Sequence, residues 1–178
     1  DVLTEVLALS NPIAFGRGRK VKRMIGQIAS RLDLPDIWQY EVAAMLCQLG
    51  EISVQHTGGF SGGLKAVPPA VTQRLLERIP RLEVVAAMIG GSDTPVSIEE
   101  QERAITEVDT EVLGGVMLML CNKALQRDEF AIWDETLSEL EASGEYAPSL
   151  LDALKSAGVG VTQSRIRQLS LKSLEGTA

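Results

Sequence analysis

The stretch VLGGVMLMLC at residues 112–121 constrains the fold more than any other part of the chain. Leu, Met and Val on every side leave no face of a helix suited to water, so the segment needs neighbours all round. It is too short to cross a bilayer core, which takes about 20 apolar helical residues. It therefore belongs at the centre of a globular domain, as the middle of a long helix near 109–127. The glycine pair at 114–115 strips two side chains from that helix and leaves room for another helix to approach closely.

The segments that surround it also read as helices. Val21, Met24, Ile25, Ile28 and Leu32 recur at three- and four-residue spacing, which predicts an amphipathic helix near 17–32. LDLPD breaks it, and Asp36 is placed to cap a helix near 37–50 that buries Trp38, Val42, Met45, Leu46 and Leu49. Pro68 and Pro69 open a helix near 69–79. A short apolar helix near 81–89 follows, and GGSDTP at 90–95 is a break. Ser97 with Glu100 forms a capping-box pattern that starts a helix near 98–107. Beyond the central helix, RDEFAIWDETLSELEAS ends at Gly144 and APSLLDALKSAG ends at Gly158, each glycine a helix stop. Val2, Leu3, Val6 and Leu7 share a face over residues 1–9, with SNP at 10–12 as a stop or turn. QHTGGFSGGLKAVPP at 55–69 is too rich in Gly and Pro for a regular element and reads as a mobile loop. No β alternation and no internal repeat appears before the tail. The expectation is an all-α, compact multi-helix bundle over residues 1–158, with a tail of mixed character at 159–178.

With 178 residues and 45% apolar side chains, the chain can enclose a core without disulfides. Aromatic residues are only 4%, so Leu, Val, Ile, Ala and Met must build that core. The net charge of −7 argues against nucleic-acid binding and against adsorption to anionic membranes. Arg17, Arg19, Lys20, Lys22 and Arg23 form the one local exception; the run is either a solvated helix start or a phosphate or partner contact. Cys47 and Cys121 each sit in an apolar helical pattern and are expected to be buried free thiols. With no cysteine framework and no signal-peptide pattern, the expected location is cytoplasmic.

Candidate chemistry is sparse. The single histidine, His56, lies in the glycine-rich segment, so neither a histidine-built metal centre nor a Ser–His–Asp arrangement is expected. GGFSGG lacks the lysine and flanking elements of a phosphate-binding loop. Glu99, Glu100, Glu102, Glu107, Asp109 and Glu111 make an acidic patch that reads as a solvated face.

The order and spacing of the segments do resemble one family. NPIAFGRGRKVKRMIGQIASRLDLPDIWQYEVAAMLCQLGEISV, LLERIPRLEVVAAMI and EFAIWDETLSELEASGEYAPSLLDAL are similar to successive segments of the HD superfamily. The nearest pattern is that of the HD-GYP-like output domains of bacterial response regulators. The resemblance covers roughly residues 10–157 and implies an HD-domain-like helical bundle. Members hydrolyse cyclic di-GMP with a metal centre that activates water. Carried over by position, the ligands are gone. The first histidine falls on Arg17, the His–Asp pair on Cys47 and Gln48, and the following lysine on Glu51. The next histidine falls near Pro68, the paired histidines on the region from Gly90 to Ser92, and the late aspartate near Asn122. Such residues cannot supply a metal centre, so no metal or cofactor is expected.

The resemblance thus implies a domain that is not an enzyme. It would pass a signal through a protein partner in a two-component pathway, as a homodimer, with a receiver domain before Asp1. The tail, QLSLKSLEGTA, resembles the opening of a further C-terminal module. The alternative is a non-hydrolysing sensor of a cyclic dinucleotide or another phosphate ligand. Arg17, Arg19, Lys20 and Arg23 are the candidate phosphate or partner contacts, and Glu41 or Glu51 the candidate partner of Arg17.

Overall fold

The apolar stretch that opened the sequence reading lies inside an 18-residue helix, Thr110–Arg127, in a computed structural model that describes residues 9, 12–47, 69–127 and 133–157. Among these residues every regular element is helical. In chain order they are α1 (Pro12–Arg31), α2 (Ile37–Leu46), α3 (Pro69–Leu76), α4 (Glu83–Gly91), α5 (Ile98–Glu107), α6 (Thr110–Arg127), α7 (Trp133–Ser143) and α8 (148–157). The all-α expectation is met.

α6 is the axis of the bundle. It packs against α1, α2, α4, α5 and α7, and Leu113, Val116, Met117, Leu118, Leu120 and Cys121 are all buried. Asp109 caps its start, its carboxylate accepting the Val112 N–H at 3.2 Å. The glycine pair works as its spacing suggested. A Cβ on Gly115 would lie 3.0 Å from the Gly91 carbonyl carbon and 3.3 Å from the Met88 carbonyl oxygen, so the α4 backbone rests directly on α6.

α1 begins at Pro12, five residues before the predicted start. Proline suits the first turn of a helix, where its missing N–H has no partner to lose. Its buried stripe is the predicted one, with Val21, Met24, Ile25 and Ile28 all in the core.

α2 departs from its prediction in two ways. Asp36 does not cap it: the residue sits at φ 49°, makes no side-chain cap, and its carbonyl closes the turn by accepting the Gln39 N–H at 2.8 Å. The buried face is Tyr40, Ala43, Ala44, Met45 and Leu46, while Trp38 is 50% exposed. IWQYEVAAML is apolar on several sides, so its own pattern does not dictate which side turns inward. α1 decides it, because Gly18 meets the backbone of Ala44 and Met45.

α3 stops at Leu76, short of the predicted 79, and α4 runs from Glu83 through both glycines to Gly91. The expected break at 90–95 begins only at Ser92, whose N–H closes the last turn on the Ile89 carbonyl at 3.1 Å. α5 has the predicted bounds, and the Ser97 hydroxyl accepts the Glu100 N–H at 3.2 Å. The Glu100 carboxylate pairs with Arg103 at 3.6 Å, so one half of the capping box forms. Gly144, at φ 62°, ends α7 as expected of a glycine in the left-handed region.

The turn after α7 is fixed by a buried side chain. Gln101, on α5, donates from Nε2 to the carbonyls of Val96 and Glu145, both at 2.8 Å, and accepts the Ala147 N–H at 2.8 Å. Ser149 on α8 donates to Glu102 at 2.6 Å, which ties α5 to α8 as well. The predicted segments near 1–8, 48–67 and 128–132, and the tail from Gly158, lie outside the described residues. No helix among the described residues is long and apolar enough to cross a membrane.

Candidate functional site

The positions that the resemblance assigns to ligands fall on four helices that pack together. Arg17 is on α1, Cys47 immediately follows α2, Gly90 is near the end of α4 and Asn122 is in the second half of α6. Among these helices α1 touches α2 and α6, and α2 and α4 touch each other and α6. Gln48 and Pro68 lie outside the described residues.

Cys47 lies close to Cys121, the residue before Asn122 on α6. Cys47 is half-buried against the core, and its Sγ donates to the Ala44 carbonyl at 3.1 Å. Cys121, next to Asn122, is fully buried. Burial pushes the Cys121 thiol far above its ordinary value of 9.0, and the nearby Cys47 sulfur adds a smaller push in the same direction. Both cysteines are free thiols, as predicted, but only Cys121 is fully enclosed. The Asn122 Oδ1 is buried and finds no hydrogen-bond donor among the described residues. Its neighbour Lys123 turns outward to the Glu145 carboxylate and lies 5.5 Å over the Tyr146 ring.

Arg17 and Gly90 are placed differently. Arg17 is half-buried. Its proposed partner Glu41 is held by Lys22 at 3.2 Å. Lys22 is five residues further along, about 140° round the helix from Arg17 at 3.6 residues per turn. A pairing of Arg17 with Glu41 is therefore not formed; Glu51 lies outside the described residues. Gly90 is close to the carboxamide of Gln73 on α3, which an added Cβ would overlap. Its neighbour Gly91 meets α6 at Gly115, about 10 Å along the helix axis from Asn122. The structure thus brings Cys47 near Cys121, next to Asn122 in the chain, and leaves Gly90 roughly two turns away along α6.

The donor set at these positions does not fit a metal centre. A guanidinium has no lone pair to give, glycine has no side chain, and a carboxamide oxygen is a weak neutral ligand. Cys47 offers a single sulfur, and one soft donor does not make a four-ligand site. Among the described residues no three His, Cys, Asp or Glu side chains group closely enough to share an ion.

The remaining basic run is spread over the outside of α1. Arg19, Lys20, Lys22 and Arg23 are exposed, with Lys22 tied to Glu41. The acidic patch is also outward, apart from half-buried Glu102, in keeping with a solvated face. Three features had no signal in the sequence reading: the Gln101 clamp, exposed Val71 and Leu75 one turn apart on α3, and a cleft between α7 and α8. Trp133, Leu137 and Lys155 line that cleft, and Lys155 is occupied there by Glu141 and Asp152. No protein-family model, curated protein or solved structure matches the chain.

Proposed function

We propose that this chain is a non-catalytic, degenerate HD-domain-like output module, cytoplasmic, which acts in a two-component signalling pathway by contact with protein. One observation carries the reading. The positions that would hold metal-binding His and Asp side chains in the family it resembles carry Arg17, Cys47, Gly90 and Asn122, and these sit in or beside an intact helical core. Core helices survive the loss of a reaction because their packing is apolar and does not depend on ligands. What then remains for function is surface, and exposed Trp38, Val71 and Leu75 supply the kind of apolar side chains on which contacts centre. The role of relay from a receiver domain belongs to the same proposal.

A second reading has one observation in its favour. The Oδ1 of Asn122, buried and without a donor among the described residues, is an acceptor that an N–H of a cyclic dinucleotide would satisfy. Titration calorimetry with cyclic di-GMP separates the two. The protein-contact reading expects no heat of binding from the wild-type chain. Saturable binding that weakens in Asn122→Ala and Arg17→Ala would replace it with a sensor.

A further inference from the structure

We infer that the basic outer face of α1 and the acidic outer face of α5 bind each other across two copies of this chain. The inference rests on the protein-contact reading and names the partner.

Arg19, Lys20 and Arg23 stand on the side of α1 opposite its buried stripe, where Gly16 and Gln27 are also exposed. Three cations within about 6 Å of helix rise repel one another. Among the described residues none of the three has a carboxylate in ion-pair reach, whereas their neighbour Lys22 does. Their distribution limits what they fit. The face is the convex outside of a helix, so it encloses no small ligand. Among the described residues it carries no large exposed apolar side chain to enter a lipid surface. The net charge of −7 repels a long polyanion and a second copy alike, so a contact here rests on local charge and not on the overall balance. A compact acidic protein face fits best.

The chain itself carries such a face. Glu99, Glu100 and Glu107 lie exposed along α5, followed by Asp109 and by Glu111 in the first turn of α6. Arg103 offsets one charge, through its pair with Glu100 at 3.6 Å. Ile98 and Val108 are exposed at the two ends of α5 and supply apolar contact against the aliphatic stems of Arg and Lys. The twofold pair proposed is one in which α1 of each copy meets α5 of the other, so that the same contact is made twice. Exposed ion pairs each contribute little, so the contact is weak and its selectivity lies in the pattern of charge.

Sedimentation velocity on charge-swapped chains tests it. One variant carries Arg19→Glu, Lys20→Glu and Arg23→Glu; the other carries Glu99→Lys, Glu107→Lys and Glu111→Lys. The wild type is expected to associate at about 100 μM, a weak-complex concentration, and each variant alone to associate at least about tenfold more weakly. An equal mixture of the two variants is expected to regain the wild-type complex, because each then offers the charge the other lacks. If either triple variant fails to fold, the single swaps Arg19→Glu and Glu107→Lys make the same comparison. A wild type that stays monomeric overturns the inference, as do variants that associate like wild type or a mixture that does not recover. A dimer indifferent to the swaps removes this contact and leaves the protein-contact reading standing. Turnover of a cyclic dinucleotide removes that reading whatever the swaps show.

Discussion

Gln101 is the residue whose removal should be felt most. Its carboxamide satisfies two backbone carbonyls and one backbone N–H in the interior, and an apolar side chain of similar size leaves all three unpaired. Gln101→Leu is expected to lower stability by about 3 kcal/mol, measured by urea unfolding, since each stranded buried group costs about 1–3 kcal/mol and the turn relaxes in part. The cysteines divide by environment. A thiol-reactive dye added to native protein is expected to label half-buried Cys47 first, and Cys121 only at the rate of unfolding. Equal rapid labelling of both would contradict the enclosed position of Cys121. These residue-scale features were the hardest to read from sequence. Gln101 sits in the polar IEEQERAITE, and nothing local says that it alone turns inward. Trp38 was misread for the opposite reason: its helix offers apolar residues on several sides, and the choice of face lies with α1.

At the scale of elements, the sequence was far more legible. The period of α1, the bounds of α5, the all-round apolar character of α6 and the glycine stop of α7 each express a local physical requirement. So does the glycine pair of α6, which allows a finer test. Gly115→Ala brings a methyl against the α4 backbone, which cannot move without shifting the helix, and is expected to cost about 1–3 kcal/mol as an overpacked contact. Gly114→Ala instead meets the flexible side chain of Met88. Met88→Ala removes the overlap with Cγ and Sδ but keeps the Cβ 2.9 Å away, so it is expected to show a partial favourable coupling of about 1 kcal/mol with Gly114→Ala and none with Gly115→Ala, measured by a double-mutant cycle. Two of the misplaced helix limits, at Pro12 and Gly91, are those where Pro or Gly reads as a break but a first-turn position or tertiary packing accommodates it.

For the whole molecule, the titration of buried groups has one direction. Burial raises the phenols of Tyr40 and Tyr146 above 10.0 and the Cys121 thiol above 9.0; the Glu145 carboxylate raises Lys123 above 10.5. In each case the unfolded chain releases its proton at a lower pH than the folded one. These contributions are therefore complete below about pH 9 and are lost as pH rises through the folded values. Urea midpoints are expected to fall from about pH 9 upward, and the earliest part of that fall should vanish in Cys121→Ala, whose ordinary thiol value is the lowest of the set. The candidate site was legible only as a set of positions. The sequence supplied residue types, but the separation of Gly90 from Asn122 and the capture of Glu41 by Lys22 depend on how helices cross.

The proposal that this helical core does not support metal-dependent hydrolysis is open to a direct test. The direct measurement is to load purified chain with excess Mn²⁺, remove the free ion, count bound metal, and follow cyclic di-GMP by chromatography in the presence of the same ion. The expected result is well under one equivalent of retained metal and an unchanged dinucleotide. Stoichiometric metal together with accumulation of the linear product would contradict the account.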